Sequence, residues 1–296
     1  MLLHRALTSP LGHHHARRSI LAAVALATLI LFSGCATEPP STGDDHATST
    51  IEHIHNVVAD PSGSGFLIGT HDGIYTVTDD GELGPRVDGP RFDAMGLTVL
   101  DDTLLASGHP GKTTPPELGS PHLGIIRSTD SARNWTPVAF TGKKDFHVLA
   151  TAPDGTVYGL PTDSTDVLVS TDEGDTWTST GGSTFAFNMV ADATGRIIAS
   201  TPDGLQISTD GAKSFGPWAD TPLIALLGVS PDHQRIVGVG SGGKIWTTTA
   251  GATSWSEGGT VHGQAQAIAI TNTGNLLVID DSGLTLLSSP SSPPSR

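Results

Sequence analysis

From about position 51 onward, short apolar runs alternate with polar turns, and no apolar run is long enough to be a helix. The runs come in sets of three. The first members are His55–Ala59, Met95–Val99, His147–Thr151, Asn188–Ala191, Ala225–Val229 and Ala267–Thr271. The second are Phe66–Thr70, Thr103–Ser107, Thr156–Gly159, Arg196–Ser200, Arg235–Val239 and Asn275–Ile279. The third are Gly73–Thr76, Gly124–Ser128, Asp166–Ser170, Gly204–Ser208, Gly243–Thr247 and Gly283–Leu287. Short runs rich in β-branched residues and bounded by Gly, Pro and Asp predict strands, so the pattern predicts an all-β domain of six strand units over residues 51–287.

The third strand of several units enters the same eight-residue turn: STDSARNW from Ser128, STDEGDTW from Ser170, STDGAKSF from Ser208 and a worn TTAGATSW from Thr248. The starts recur roughly every 40 residues, the period of a propeller blade. One four-stranded sheet cannot bury both faces alone, whereas blades stacked in a ring can. The expected fold is a β-propeller of six four-stranded antiparallel blades, with seven the main competitor. The last unit lacks an outermost strand, and residues before Ile51 are the expected source.

The pattern S-x-D-x-G-x-x-W resembles the Asp-box, or BNR repeat, of sialidases and sortilin-like receptors. The match is complete at Ser170, Asp172, Gly174 and Trp177. It is partial at Ser128, Asp130 and Trp135, where Ala132 replaces Gly, and at Ser208, Asp210 and Phe215, where Ala212 does. The chemistry of the turn suits a structural role. Asp early in a hairpin accepts backbone N–H bonds, Gly tolerates positive φ, and Trp closes the hairpin over the sheet. The resemblance places these turns between the third and fourth strands, away from the ligand face.

Aligning the first strands puts His55, Met95 and His147 at one position and His53, Asp93 and Asp145 two residues earlier, on the same side of the strand. The ends of the second strands align His71 with His109. Strand direction places all eight on the face opposite the repeated turns, around three adjacent blades. Of 13 histidines, only His233 and His262 follow position 147. Imidazoles with carboxylates are ligands for zinc or another divalent transition metal, which makes His53, His55, His71, His109 and His147 metal candidates. The same groups can act as acid and base, and Asp93 with Asp145 is the aligned pair of catalytic acids. The long connection from Gly108 to Gly124 leaves the same rim and adds Glu117 and His122 as secondary candidates.

The first 35 residues change the picture of location. Arg5, Arg17 and Arg18 precede an apolar run from Ile20 to Phe32, which ends at LFSGC with Cys35 the single cysteine. The run is short for a membrane span and reads as an export signal. Its end resembles the bacterial lipoprotein cleavage box. That implies a signal over residues 1–34, lipidation (palmitate and related acyl chains) at Cys35, and a cell-membrane anchor facing outside the cytoplasm. Residues 35–50 read as a polar tether and 288–296 as a loose Ser/Pro tail. One cysteine excludes an internal disulfide. The net charge of −15 argues against nucleic acid as a partner.

Residues 51–287 resemble a subgroup of bacterial secreted or lipid-anchored BNR propellers commonly labelled glycosyl hydrolases or sialidase-like proteins, on the elements IEHIHNV, IGTHDGIY, FDAMGLTV, ASGHP, LGIIRSTD and KDFHVLA. Sialidase chemistry as that family performs it needs three arginines and a Tyr nucleophile. The rim offers Arg91 alone, and the two tyrosines are Tyr75 and Tyr158. The leading expectation is an extracytoplasmic, lipid-anchored propeller that binds a small molecule, glycan or metal at the His/Asp-rich rim. A glycoside hydrolase and a non-catalytic scaffold for an envelope protein are the alternatives.

Overall fold

The computed structural model describes residues 53–63 and 65–287. The signal, Cys35, the tether and the tail lie outside the described residues. The described chain forms six antiparallel sheets in sequence order. The first holds β1 (Ile54–Ala59), β2 (Phe66–Thr70), β3 (Gly73–Val77) and β4 (Leu83–Arg86). The second holds β5 (Phe92–Leu100), β6 (Thr103–Pro110), β7 (Ile125–Ser128) and β8 (Thr136–Ala139). The third holds β9 (Phe146–Thr151), β10 (Val157–Pro161), β11 (Asp166–Ser170) and β12 (Thr178–Ser183). The fourth holds β13 (Asn188–Ala191), β14 (Ile197–Thr201), β15 (Gly204–Ser208) and β16 (Gly216–Pro217). The fifth holds β17 (Ile224–Val229), β18 (Arg235–Gly240), β19 (Lys244–Thr249) and β20 (Ser256–Thr260). The sixth holds β21 (Ala265–Ile270), β22 (Leu276–Asp280) and β23 (Gly283–Leu287). The sixth blade thus has three strands among the described residues. Its expected fourth falls on residues before Ile51, outside them.

The apolar side chains of each blade are buried against the next, giving six cores, one per blade interface. The ring closes through the last of these. Val57, Phe66 and Ile68 of the first blade pack against Ala267, Leu277 and Ile279 of the sixth, and β21 lies beside β1. The fold is a six-bladed β-propeller, and its closure uses ordinary side-chain packing like that between the other blades. Burial at about 25 cal/mol per Å² favours closure, since an open end would leave one such face in water.

The repeated turns are hydrogen-bonded throughout. Asp172 Oδ1 accepts from Ser170 Oγ and Thr176 N, both at 2.8 Å, and Oδ2 accepts from Thr176 Oγ1 at 2.5 Å. Trp177 Nε1 donates to Gly174 O at 2.7 Å. Asp130 and Asp210 repeat the arrangement with Asn134 and Ser214. The position of Gly174 (φ +93°) is taken by Ala132 (φ +68°) and Ala212 (φ +61°) in the other two turns. Left-handed alanine costs about 1–2 kcal/mol, and both methyls are buried in blade cores that offset it.

The worn turn has Ala250 where the others have Asp, and the neighbouring blade supplies the missing carboxylate. Asp192, fully buried, accepts from Gly251 N at 3.1 Å. Its ion-pair partner Arg196, 2.6 Å away, donates to Ala252 O at 2.9 Å. That carbonyl corresponds to the one that meets Trp177 in the complete turn. Trp255 Nε1 is accordingly buried without a partner.

Candidate metal centres at the channel mouth

Five of the six innermost strands carry one extra residue near their start. The register slips between Ile54 and Asn56, Ala94 and Gly96, Phe146 and Val148, Ile224 and Leu226, and Ala265 and Ala267. The bulged residues are therefore His55, Met95, His147, Ala225 and Gln266. A bulge leaves its backbone outside the ladder and redirects its side chain. The freed backbone groups find partners in the preceding blade. Asn56 Nδ2 donates to Met95 O at 3.0 Å, and Ser200 Oγ donates to Ala225 O at 2.9 Å. The bulges at Met95 and Ala225 are thus pinned across a blade interface.

These bulges sit at the starts of innermost strands, and His71 and His109 sit at the ends of second strands. Chain direction puts both sets on the face away from the repeated turns, where the spacing of the sequence placed them. Two groups form there. In the first, His55 Nε2 lies 2.9 Å from Asp93 Oδ1, His71 Nδ1 lies 2.8 Å from Asp93 Oδ2, and the two ring nitrogens are 3.4 Å apart. In the second, Asp145 Oδ2 lies 2.7 Å from His147 Nε2 and 3.3 Å from His109 Nε2. Each group joins two blades. Asp93 pairs directly with His109 across β5 and β6, so the two groups share one hairpin. Gly108 makes that hairpin possible, because at φ +146° an added Cβ would stand 1.9 Å from Asp93 O.

In each of these groups one buried carboxylate oxygen stays without an aligned hydrogen bond. Asp93 Oδ1 is buried and receives no aligned hydrogen bond, despite His55 Nε2 at 2.9 Å. Asp145 is 4% exposed, and its Oδ1 has no hydrogen-bond partner. His109 Nδ1 lies 3.3 Å from Pro121 O, a carbonyl that can only accept. In the neutral ring that contact puts the proton on Nδ1 and turns the Nε2 lone pair toward Asp145. A lone pair facing a buried carboxylate repels unless a proton or a metal cation joins them. Two ligand atoms about 2.0–2.1 Å from one transition metal stand roughly 2.9–3.4 Å apart, close to the separations found here. A backbone carbonyl behind a ligating histidine is the usual outer support of such a centre. Both groups can hold a metal ion. For His55, burial lowers the pKa below the ordinary value; neighbouring Asp93 opposes this, while His71 and, more weakly, His147 add to it. The neutral, ligating form is favoured.

The remaining sequence candidates lie beside these groups. His53 (φ +56°) stacks edge-on with His71 at 5.0 Å but is outside the convergent set. Met95 occupies the bulge of the blade between the two groups. His122 stands 5.3 Å from His109, with Nδ1 buried and unpartnered, and Glu117 points to solvent. The connection carrying them folds back through buried Leu118 and Leu123. Tyr158 is near the start of β10, where the sequence placed it near a strand end. It is buried in the core between the third and fourth blades, and burial raises its pKa. The central channel also holds a cavity of about 370 Å³ that runs from Asn56, next to His55, toward the repeated-turn face, where Val99, Thr151 and His233 line it.

No family model matches the chain, and no curated protein matches it. Solved structures do. A putative gluconolactonase is similar with a TM-score of 0.60 at 13% identity, over 80% of this chain and 89% of that one. A nidogen/laminin complex gives 0.55 at 13%, over 76% and 89%. The GH74 xyloglucanase from Xanthomonas campestris gives 0.50 at 16%, over 80% of this chain and 45% of the enzyme. The chain therefore spans less than half of that enzyme's length. At such identities the likeness shows the β-propeller fold alone.

Proposed function

We propose that this protein is an extracytoplasmic, lipid-anchored propeller of the Asp-box type that binds divalent transition metal ions at two His₂Asp centres on one face. His55, His71 and Asp93 hold one ion, and His109, Asp145 and His147 hold the other. The observation that carries the reading is Asp145: a buried carboxylate with one oxygen unpartnered and the other facing two imidazole nitrogens. Three protein ligands leave coordination positions free, which suits a centre that takes up a further ligand or an activated water. His147 and His109 are about two-fifths exposed, so the second centre opens to solvent on its histidine side. As a glycosidase pair, Asp93 and Asp145 would need to be free to face a substrate from opposite sides. Each is instead flanked by two histidines, which favours the metal reading over the hydrolase.

The test uses full chain purified without a polyhistidine tag. Titration with Co²⁺ and Zn²⁺, followed by elemental analysis after dialysis, should give two equivalents per chain. His71→Ala and His147→Ala should each remove one. A wild-type protein that retains no metal overturns the proposal.

A further inference from the structure

The two positions that supply metal ligands in the first three blades recur in the other three with different chemistry. Counted back from Ala191 paired to Ile197 and from Thr151 paired to Val157, Phe185 and Phe187 lead into the fourth blade's first strand at the same spacing as Asp145 and His147 in the third, and Phe187 N donates to Ser200 O at 2.8 Å at the start of that strand. The bulge at Ala225 aligns Leu223 with Asp145, and the bulge at Gln266 aligns Gln264 with it. In a closed ring of six, the fourth blade stands opposite the first and the fifth opposite the second. The mouth is therefore divided, with His/Asp groups on one half and Phe185, Phe187 and Leu223 on the other.

The apolar half is exposed to an unusual degree. Phe185 is 64% exposed, Phe187 55% and Leu223 64%, and among the described residues Leu287 is the one other exposed large apolar side chain. The two phenylalanines meet edge to face with centroids 6.1 Å apart, an arrangement that presents a preformed aromatic surface. Exposed apolar residues gathered on one rim mark a recognition surface, whereas single ones do not. The polar half has cations to hand. Lys112 and Arg91, the latter ion-paired with Asp72 at 2.9 Å, line a groove with His71 beside the first metal group, in a chain whose net charge is −15.

We infer that the channel mouth binds an amphiphilic organic anion: its chelating, negatively charged head ligates a metal held by the His/Asp groups, and its aromatic or aliphatic body lies on Phe185, Phe187 and Leu223. This rests on the metal reading above and adds the class of ligand. Neither half alone specifies such a molecule. A metal centre by itself takes any chelator, and an apolar patch by itself takes any apolar surface. Their placement on one register of one ring selects a ligand that has both.

Hydroxamates serve as the probe, because the head is constant and the tail can be varied. Co²⁺-loaded full chain is titrated with acetohydroxamate and with phenylalkyl hydroxamates of increasing spacer length, and the cobalt absorption bands report binding. The tail should tighten binding about tenfold or more, the order expected when a phenyl ring leaves water. Phe185→Ser with Phe187→Ser should abolish that gain and leave acetohydroxamate binding and metal stoichiometry unchanged. Both rings are mainly in solvent, so these variants keep the fold. A tail that adds nothing, or a gain that persists in the double variant, overturns this inference and leaves the metal centres standing. Failure to load cobalt overturns both. Tails without effect, together with vesicle binding that is lost in the double variant, would assign the rings to a lipid surface instead.

Discussion

The two faces of the propeller use aspartate in opposite ways. On the repeated-turn face, both oxygens of Asp172 and Asp210 accept hydrogen bonds from residues four positions on, and the geometry is copied from turn to turn. On the mouth face, Asp93 and Asp145 each keep a buried oxygen without an aligned hydrogen bond, Asp93 Oδ1 despite His55 Nε2 at 2.9 Å. A satisfied carboxylate has finished its task once the chain is folded. A buried unsatisfied one costs stability and persists where something else binds to it. On the proposed reading, the contrast separates acids that hold the fold from acids that hold a metal.

The largest effect should come from Asp192, the turn-face acid that stands in for the missing one in the worn turn. Asp192→Ala leaves Arg196 without its buried partner and Gly251 N without an acceptor. Breaking a buried pair by removing one member costs about 3–5 kcal/mol, and urea denaturation should show a loss of that order. A loss under 1 kcal/mol would mean that the Asp192–Arg196 pair does not support the turn of the next blade.

At the mouth, substitution should move binding and spare the fold. Asp145→Asn should weaken metal at one centre about 100-fold, or roughly 2.7 kcal/mol at 1.36 kcal/mol per tenfold. The metal-free protein should be as stable as wild type or more so, because a buried carboxylate with one unpartnered oxygen has gone. Competition with a chromophoric chelator measures the first and thermal melting the second. Equal losses of metal-free stability in Asp145→Asn and Asp192→Ala would erase the distinction between the faces.

Ser170→Ala should fall lower in the series. Ser170 is 1% exposed, accepts from Gly174 N at 2.8 Å and donates to Asp172 at 2.8 Å. Loss of one satisfied buried hydroxyl costs about 1–2 kcal/mol, with metal uptake unchanged.

Sequence alone carried most of the fold and part of the site. The turn beginning at Ser170 and its copies fixed the period, and strand direction then placed His71, His109, Asp93 and Asp145 on one face. Two things were hidden. The bulges at His55, Met95 and His147 insert one residue without breaking the apolar alternation, so a flat strand was the natural reading. It is the bulge, pinned by Asn56 in the case of Met95, that redirects these side chains. His53 then falls outside the group that its two-residue spacing from His55 suggested. The apolar half of the mouth is legible in the same spacing. Extending the same alignment to the fourth and fifth blades sets Phe185, Phe187 and Leu223 against Asp145 and His147. The carboxylate that rescues the worn turn was out of reach, because Asp192 belongs to a different repeat from Gly251.

The smallest effect should be an acid limb that belongs to the turn face. Hydrogen bonds from the Thr176 side chain and backbone hold Asp172 at about 2, and those from the Ser214 and Ser208 side chains hold Asp210 at about 2, both from an ordinary 3.8. The unfolded chain therefore takes up protons on these groups more readily than the folded one. The stability they contribute is complete above pH 3.8 and is lost as pH falls from there through 2. Both groups are solvent-exposed, so the effect is modest and screened by salt. Urea midpoints for wild type and for the Asp172→Asn/Asp210→Asn double variant should differ at pH 5, with wild type the more stable, and converge toward pH 2. A gap that stays constant over this range would show that the turns gain nothing from ionised aspartate. A double variant with altered metal uptake at neutral pH would show that the two faces are coupled through the blades.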